Sequence, residues 1–253
     1  PAGEPWPVGH VLKNPALADT LTALAADPDA LNTGPIAVDI AATVQGYAAN
    51  PGGMTAADLA AYEPKQRATV CGAYLAYRIC GMPPPSSGPL TLLMMLGMAE
   101  RLDLHDLDPG SAAWAHLFAE VSKVAFADRN HYMADPDFVP QPVEGLLNRA
   151  YLDGRAALIS SGSALSKIEA GQPPERQGGL EWSPHSGVLE AGTSQLSVVD
   201  GDGNIVSMTM TVEAAFGSHL MVRGFLLNNE LTDFSFVAER DDKPVANRVE
   251  AGK

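Results

Sequence analysis

The chain has 253 residues, of which 46% are hydrophobic, and its 30 acidic against 16 basic side chains give a formal charge of −14. This composition is typical of a globular protein with one large domain or two small ones and excludes a disordered or collagen-like chain. The acidic balance repels a phosphate backbone, so we expect no nucleic-acid partner. No apolar run reaches the roughly 18 residues that a membrane span needs.

The first 60 residues have the periodicity and caps of short helices. Asn14-Pro15 is a cap followed by a first-turn proline, with leucines at helical spacing behind it. Thr33 is placed to cap a second helix. Thr55 and Asp58 have the spacing of a capping box for a third.

Helical patterns resume after a rigid connector. The prolines at 83–85 exclude helix, and Pro89 suits the first turn of the next helix. Ser111 is placed to cap another helix, which we expect to end in an acidic turn at 127–137, before a short helix over 146–159. Both longer helices carry apolar stripes that predict a core and no cofactor: Leu90, Leu93, Met94 and Met98, and Trp114, Leu117, Phe118, Val121 and Val124.

The two cysteines flank a predicted hairpin, with strands at 68–70 and 77–79 and a turn at Leu75-Ala76. A two-residue turn sets Cys71 directly across from Cys80. The sequence favours two buried thiols and leaves a cross-strand disulfide open, which would indicate an oxidising compartment.

Residues 160–192 lose all periodicity and are rich in glycine and proline, which predicts a long exposed loop or flexible tether. Two alternating segments follow, 194–200 and 204–211, joined by Gly201-Asp202-Gly203. Pairing residues whose numbers sum to 404 sets apolar against apolar and polar against polar side chains. This register sets Thr193 opposite Thr211.

Several motifs together resemble the γ-glutamyltranspeptidase family, over roughly residues 13–253. Around the predicted hairpin these are TSQLSVVD at 193–200, GDGN at 201–204 and LLNNELTDFS at 226–235. Earlier in the chain they are PPSSG at 84–88, ADR at 127–129 and DPDF at 135–138.

The resemblance implies an α+β fold, the αββα sandwich of the N-terminal-nucleophile hydrolases, with its N-terminal and C-terminal parts lying outside this chain. It also implies a precursor that cuts itself at the Gly192–Thr193 bond. Residues 1–192 would then be the C-terminal part of a large subunit, and residues 193–253 the N-terminal part of a small subunit. Both subunits would come from one precursor. Whether two such pairs of subunits form a dimer is left open.

A freed Thr193 would carry its own base, because an α-amino group titrates near 7.7–8.0 and can accept the hydroxyl proton. No histidine lies in a serine-triad context, and His185 and His219 are interpreted as structural or solvated. By the resemblance, Thr211 orients the Thr193 amine. No metal or organic cofactor is implied.

The resemblance assigns Glu213, Glu230 and Asp233 to binding the α-ammonium of a small-molecule γ-glutamyl donor, with water or an amino acid as acceptor. Glu213 departs from the family pattern, where asparagine is more common. A carboxylate there favours an amine-bearing donor over a glutaryl group. The residues that hold the donor carboxylate and form the oxyanion hole fall before Pro1 and after Lys253, so we expect this segment alone to be nearly inactive.

Three functions follow as hypotheses: a γ-glutamyl transferase or hydrolase acting on amides such as glutathione, a cephalosporin or glutaryl amide acylase of the same fold, and a non-catalytic scaffold. The family favours the periplasm or the extracellular space and leaves the cytoplasm open.

Overall fold

The structure is a computed structural model that describes residues 3, 5–174, 181–185 and 192–252. Its α-helices are α1 (Pro15–Ala26), α2 (Gly34–Gln45), α3 (Ala56–Ala60), α4 (Gly88–Arg101), α5 (Ala112–Tyr132), α6 (Val143–Leu146) and α7 (Arg149–Ala156). Its strands are β1 (Val70–Tyr74), β2 (Tyr77–Gly81), β3 (Ser194–Val199), β4 (Ile205–Met210), β5 (Met221–Val222), β6 (Phe225–Leu226), β7 (Glu239–Arg240) and β8 (Lys243–Pro244). Consecutive strands pair into antiparallel two-stranded sheets.

The chain divides into two compact units. Unit 1 consists of Pro1–Lys65 and Leu189–Leu231, and unit 2 of Gln66–Val188 and Thr232–Lys253. The predicted division at 192–193 concerns where the backbone is cut rather than how it packs, and it stays a prediction.

Unit 1 begins with the three predicted helices. The side chain of Asn14 accepts a hydrogen bond from the N–H of Leu17 and caps α1, and Thr55 and Asp58 form the predicted capping box on α3. Thr33 precedes α2 as predicted, but its hydroxyl makes no cap and instead donates to Asp29 O at 3.0 Å. The local spacing of cap residues therefore predicted the start of each helix. The Thr33 hydroxyl does not cap α2 because the carbonyl of Asp29 competes for it.

The hairpin of β5 and β6 joins the later part of unit 1 to these helices. Its turn, Arg223-Gly224, has positive φ at both residues, +44° and +87°. Asn14 Nδ2 donates to Gly224 O at 2.7 Å, and Thr20 Oγ1 donates to Arg223 O at 3.0 Å. Val222 packs in the small core of the unit with Ile36 and Ile40 of α2.

Gly224→Ala should destabilise unit 1. A Cβ there would lie 2.3 Å from Leu17 N and 2.6 Å from Asn14 Oδ1, so the α1 cap would have to shift. The left-handed backbone adds strain, and together we expect a loss of about 2 kcal/mol. Urea unfolding of the protein measures it. The matched control is Gly201→Ala, where no atom lies within 4 Å of the added carbon, and equal losses in both variants would contradict the prediction.

Unit 2 is built on α4 and α5, whose apolar stripes form its core as predicted. Leu90, Met94, Val121 and Val124 are at most 1% exposed. Phe118 departs from the prediction, because it is 43% exposed and stacks on Trp114 at the edge of the stripe. None of the helices in the described ranges has the length and hydropathy to cross a bilayer.

Two predicted helix boundaries differ from the structure. Helix α5 continues to Tyr132, so Asp128 lies inside it and is 1% exposed rather than part of an acidic turn. The predicted helix over 146–159 is present but shorter, as α7 (Arg149–Ala156), because Asn148 caps its start by accepting from Tyr151 N at 3.2 Å. The separate short helix α6 precedes it.

The first part of the predicted loop at 160–192 is anchored to α5 and α7, which corrects the expectation of a free tether. Glu120 Oε2 accepts from Leu165 N at 2.8 Å, and Asp128 Oδ1 accepts from Gly171 N at 2.8 Å. Arg155 Nη2 donates to Glu169 O at 2.9 Å. Buried side chains of the helices thus satisfy the backbone of a segment without secondary structure of its own. Of the rest of the loop, 175–180 and 186–191 lie outside the described residues.

The cysteine hairpin has the predicted register, and Cys71 pairs with Cys80. The structure holds the two as a disulfide, and Cys80 is exposed, so the prediction of two buried thiols was wrong and the alternative is the one observed. Positions directly opposite each other across an antiparallel pair are close enough to bridge.

Candidate active site

The central element of the candidate site is the hairpin of β3 and β4. Its register pairs Leu196 with Met208 and Val198 with Val206, which confirms the predicted sum of 404. Asp200 fixes the turn, because its carboxylate accepts from the backbone N–H groups of Asp202 at 2.9 Å and Asn204 at 2.8 Å.

Thr193 and Thr211 lie one step beyond the last pair of this ladder, Ser194 and Met210, so the same register sets them opposite each other. Both are exposed. Thr211 Oγ1 lies 3.5 Å from Gly192 O, as a donor, and accepts from Glu213 N at 2.8 Å. The Glu213 N–H therefore occupies one lone pair of the hydroxyl, which leaves the hydroxyl proton available to the carbonyl that precedes Thr193.

The backbone at Gly192 requires glycine. Its φ is +129°, and a Cβ on it would lie 3.0 Å from Glu213 O. An L side chain would therefore be strained in conformation and pressed against a backbone oxygen. The carbonyl carbon of Gly192 has no side chain of its own residue beside it.

Glu213 is held in an uncommon conformation by Asn229. Its φ of +70° is in the left-handed region. Asn229 Nδ2 donates to Glu213 Oε2, and Asn229 Oδ1 accepts from Ala214 N at 3.0 Å. Asn229 lies inside the motif at 226–235, but the sequence predicts no role for it, because nothing in periodicity or spacing shows that it reaches back to residues 212–214.

The other two predicted donor-binding residues begin and end the 3₁₀ helix Glu230–Asp233. Glu230 belongs to unit 1, is half-buried, and its N–H bonds to Asn228 Oδ1 at 3.0 Å. Asp233 belongs to unit 2 and is exposed, and its carbonyl accepts from Asn247 Nδ2 at 2.7 Å.

The two histidines near these motifs have structural surroundings. His185 in unit 2 donates its backbone N–H to Asn130 O at 2.7 Å, and burial, with Arg129 and Arg240 nearby, lowers its pKa and favours the neutral ring. His219 in unit 1 has a φ of +62° in a turn closed by its N–H to Phe216 O at 3.0 Å.

One group of possible metal ligands occurs within the described ranges. Asp103, His105 and Asp106 are exposed in unit 2, with ligand atoms within 4.8 Å of one another. Exposed acidic groups of this kind commonly hold no ion, and none of the predicted site residues is among them, so we assign them no role.

Comparisons with known proteins extend the resemblance to the whole chain. The sequence profile of the Gamma-glutamyltranspeptidase family matches residues 1–253. The glutathione hydrolase proenzyme of Escherichia coli (strain K12) is 38% identical over 236 residues, which are 92% of this chain and 38% of that protein.

Two solved structures have similar folds. The γ-glutamyltranspeptidase of Helicobacter pylori matches with a TM-score of 0.62 and 34% identity over 68% of this chain and 49% of its own. The cephalosporin acylase of Bacillus halodurans matches with a TM-score of 0.72 and 25% identity over 97% of this chain and 41% of its own. This chain spans about two fifths of the length of its curated relatives, 38% and 41% for two of them.

The mixed helical and hairpin fold is that of the N-terminal-nucleophile hydrolases. Within that class, the chain belongs to the γ-glutamyltranspeptidase family.

Proposed function

We propose that the complete protein that carries this sequence cleaves γ-glutamyl amides, such as glutathione, by acyl transfer through an ester on Thr193, after cutting itself at Gly192–Thr193. The observation that carries the proposal is the Thr211 hydroxyl, which faces the carbonyl of Gly192 directly before Thr193. Membership of a family with members named glutathione hydrolase proenzymes supports both steps.

Self-cleavage would begin with attack of Thr193 Oγ1 on the carbonyl carbon of Gly192. Negative charge then develops on Gly192 O, where the Thr211 hydroxyl can donate. The present 3.5 Å contact is long, and such contacts tighten as the acceptor becomes charged. The C–N bond then breaks as the nitrogen of Thr193 takes up the proton that its own hydroxyl has lost, so that it leaves as an amine. Water afterwards hydrolyses the ester. The products are a carboxylate on Gly192 and a free amino terminus at Thr193.

Turnover would use that new amino terminus. Its ordinary pKa of about 7.7–8.0 leaves part of it neutral near pH 7, so it can accept the hydroxyl proton as Thr193 attacks the γ-carbonyl of the donor. The leaving amine takes up the proton, and water or an amino acid then receives the acyl group. Large and small subunits would derive from one precursor.

The α-ammonium group of the donor is proposed to bind to carboxylate side chains of the protein. Glu213 and Glu230 would face the α-ammonium, and Asp233 keeps its assignment from the resemblance as a third carboxylate. Within the described residues, Glu213 Oε1 accepts no hydrogen bond, whereas Oε2 is bound by Asn229. One carboxylate oxygen is therefore available for a cation.

An amide acylase is the second candidate, favoured by the structural match to cephalosporin acylase. Its substrates would include acyl groups without an amine. Release of p-nitroaniline from γ-glutamyl-p-nitroanilide and from glutaryl-p-nitroanilide separates the two candidates, because these donors differ only in the α-amine and its charge.

We expect the γ-glutamyl donor to be favoured in kcat/KM by about tenfold or more, since a hydrogen bond to a charged group contributes about 1.5–3 kcal/mol. A preference for the glutaryl donor would support the acylase instead. Mass spectrometry of the same sample should show two pieces that meet at 192–193. An uncut chain that turns over neither donor would support the non-catalytic scaffold.

A further inference from the structure

A single carboxamide, that of Asn229, holds the bend at 212–214 by both of its ends. Its Oδ1 accepts from Ala214 N at 3.0 Å, and its Nδ2 donates to Glu213 Oε2. Its backbone N–H also bonds to Val212 O at 3.3 Å. These residues all belong to unit 1, and Glu213 and Asn229 are both half-buried.

This arrangement needs an amide side chain. Aspartate could accept from Ala214 but would offer no N–H to the carboxylate, and alanine could do neither. The left-handed φ of +70° at Glu213 is a conformation that a residue with a side chain keeps only when its surroundings hold it. The contacts of Asn229 are such surroundings, and they fix where the Glu213 carboxylate points.

We propose that Asn229 is a positioning residue that sets the pose of the Glu213 carboxylate and thereby the preference for donors that carry a cationic amine. The inference rests on the proposed function, because it concerns the donor of that reaction. Asn229 acts through Glu213: it occupies Oε2 and leaves Oε1 for the ammonium group.

Asn229→Ala is the direct test, made in the complete protein. We expect kcat/KM for γ-glutamyl-p-nitroanilide to fall about tenfold or more, mainly through KM, because a partly buried carboxylate loses its charge-assisted hydrogen bond. The value for glutaryl-p-nitroanilide should change much less, since that donor has no amine to place. Rates are divided by the cut fraction measured by mass spectrometry, because the same bend supports Thr211.

The matched control is Asn204→Ala. Asn204 Nδ2 also donates to a carboxylate, Asp200 Oδ2 at 2.7 Å, but in the turn at the opposite end of the β3–β4 hairpin. It should leave the ratio between the two donors unchanged. Asn229→Ser keeps a small polar side chain without the amide N–H and should lose discrimination as Asn229→Ala does, which keeps the test decisive if the alanine variant fails to fold.

A double-mutant cycle with Glu213→Gln tests whether Asn229 acts through Glu213. Once the carboxylate is gone, adding Asn229→Ala should not lower donor discrimination further. Unchanged discrimination in Asn229→Ala and Asn229→Ser, or equal losses for both donors, would overturn the inference while leaving the proposed function intact. Wild-type protein that turns over neither donor would overturn both.

Discussion

Replacing Thr193 with alanine should leave the chain uncut and lower turnover of γ-glutamyl-p-nitroanilide by about 10³-fold or more, because one hydroxyl serves as nucleophile in both proposed reactions. Mass spectrometry of the complete protein should give one mass for the variant and two for the wild type. Thr193→Ser keeps a hydroxyl and should still be cut.

Thr209→Ala provides a matched control on the same hairpin. Thr209 is exposed, like Thr193, and its hydroxyl bonds to the Gln195 side chain at 2.5 Å rather than to the backbone at 192. This variant should be cut and should turn over donor like the wild type. Cutting at 192–193 in Thr193→Ala, or equal loss of activity in both variants, would refute Thr193 as the nucleophile.

The register of the hairpin that presents Thr193 could be predicted from the sequence because the pattern that sets it is local. A one-residue slip would set Leu196 against Thr209, so the alternation and the short turn at 201–203 together allow one good register. The caps at Asn14 and Thr55 were predictable for the same reason, since each partner lies three residues away. All the residues that determine the hairpin register and these helix caps lie close together in the sequence.

The anchoring of residues 165–171 could not be predicted, because its partners are distant in sequence. Gly171 bonds to a carboxylate 43 residues earlier, and Leu165 to one 45 residues earlier. Because residues 160–192 lack periodicity, the sequence predicts an unattached loop there. The cysteine hairpin marks a different limit: its register followed from the turn, but whether two facing sulfurs are joined depends on oxidation and not on alternation.

The candidate site was predictable in part. The register set Thr193 opposite Thr211, and the structure adds the contact of Thr211 with Gly192 O and the positive φ at Gly192. The role that we propose for Asn229 had no sequence signal, since its amide reaches residues 15 and 16 positions earlier. The need for glycine at 192 arises from a positive φ, which only backbone angles reveal.

Arg155→Ala should have the largest effect on stability among the changes in unit 2. Arg155 donates two hydrogen bonds to Asp128, from Nη2 to Oδ1 at 2.9 Å and from Nε to Oδ2 at 3.2 Å. Both residues are buried, with Arg155 7% and Asp128 1% exposed. Burial already raises the pKa of the Asp128 carboxyl, against the opposing effect of the guanidinium. Without Arg155 the carboxylate is buried and uncompensated, and we expect a loss of about 3–5 kcal/mol in urea unfolding.

Hydrogen exchange distinguishes this cause from a general loss of packing. The Gly171 N–H donates to Asp128 Oδ1, so its exchange should speed up as the anchored segment loosens. Lys167→Ala, which breaks the exposed Lys167–Glu169 pair in the same segment, should lower the free energy of unfolding far less than Arg155→Ala does. Replacing both members of the buried pair, as in Asp128→Leu with Arg155→Met, should recover part of the stability, because the loss arises from an unpaired charge rather than from a missing bond. Equal losses in Arg155→Ala and in the double variant would show instead that packing by the Arg155 side chain stabilises this unit.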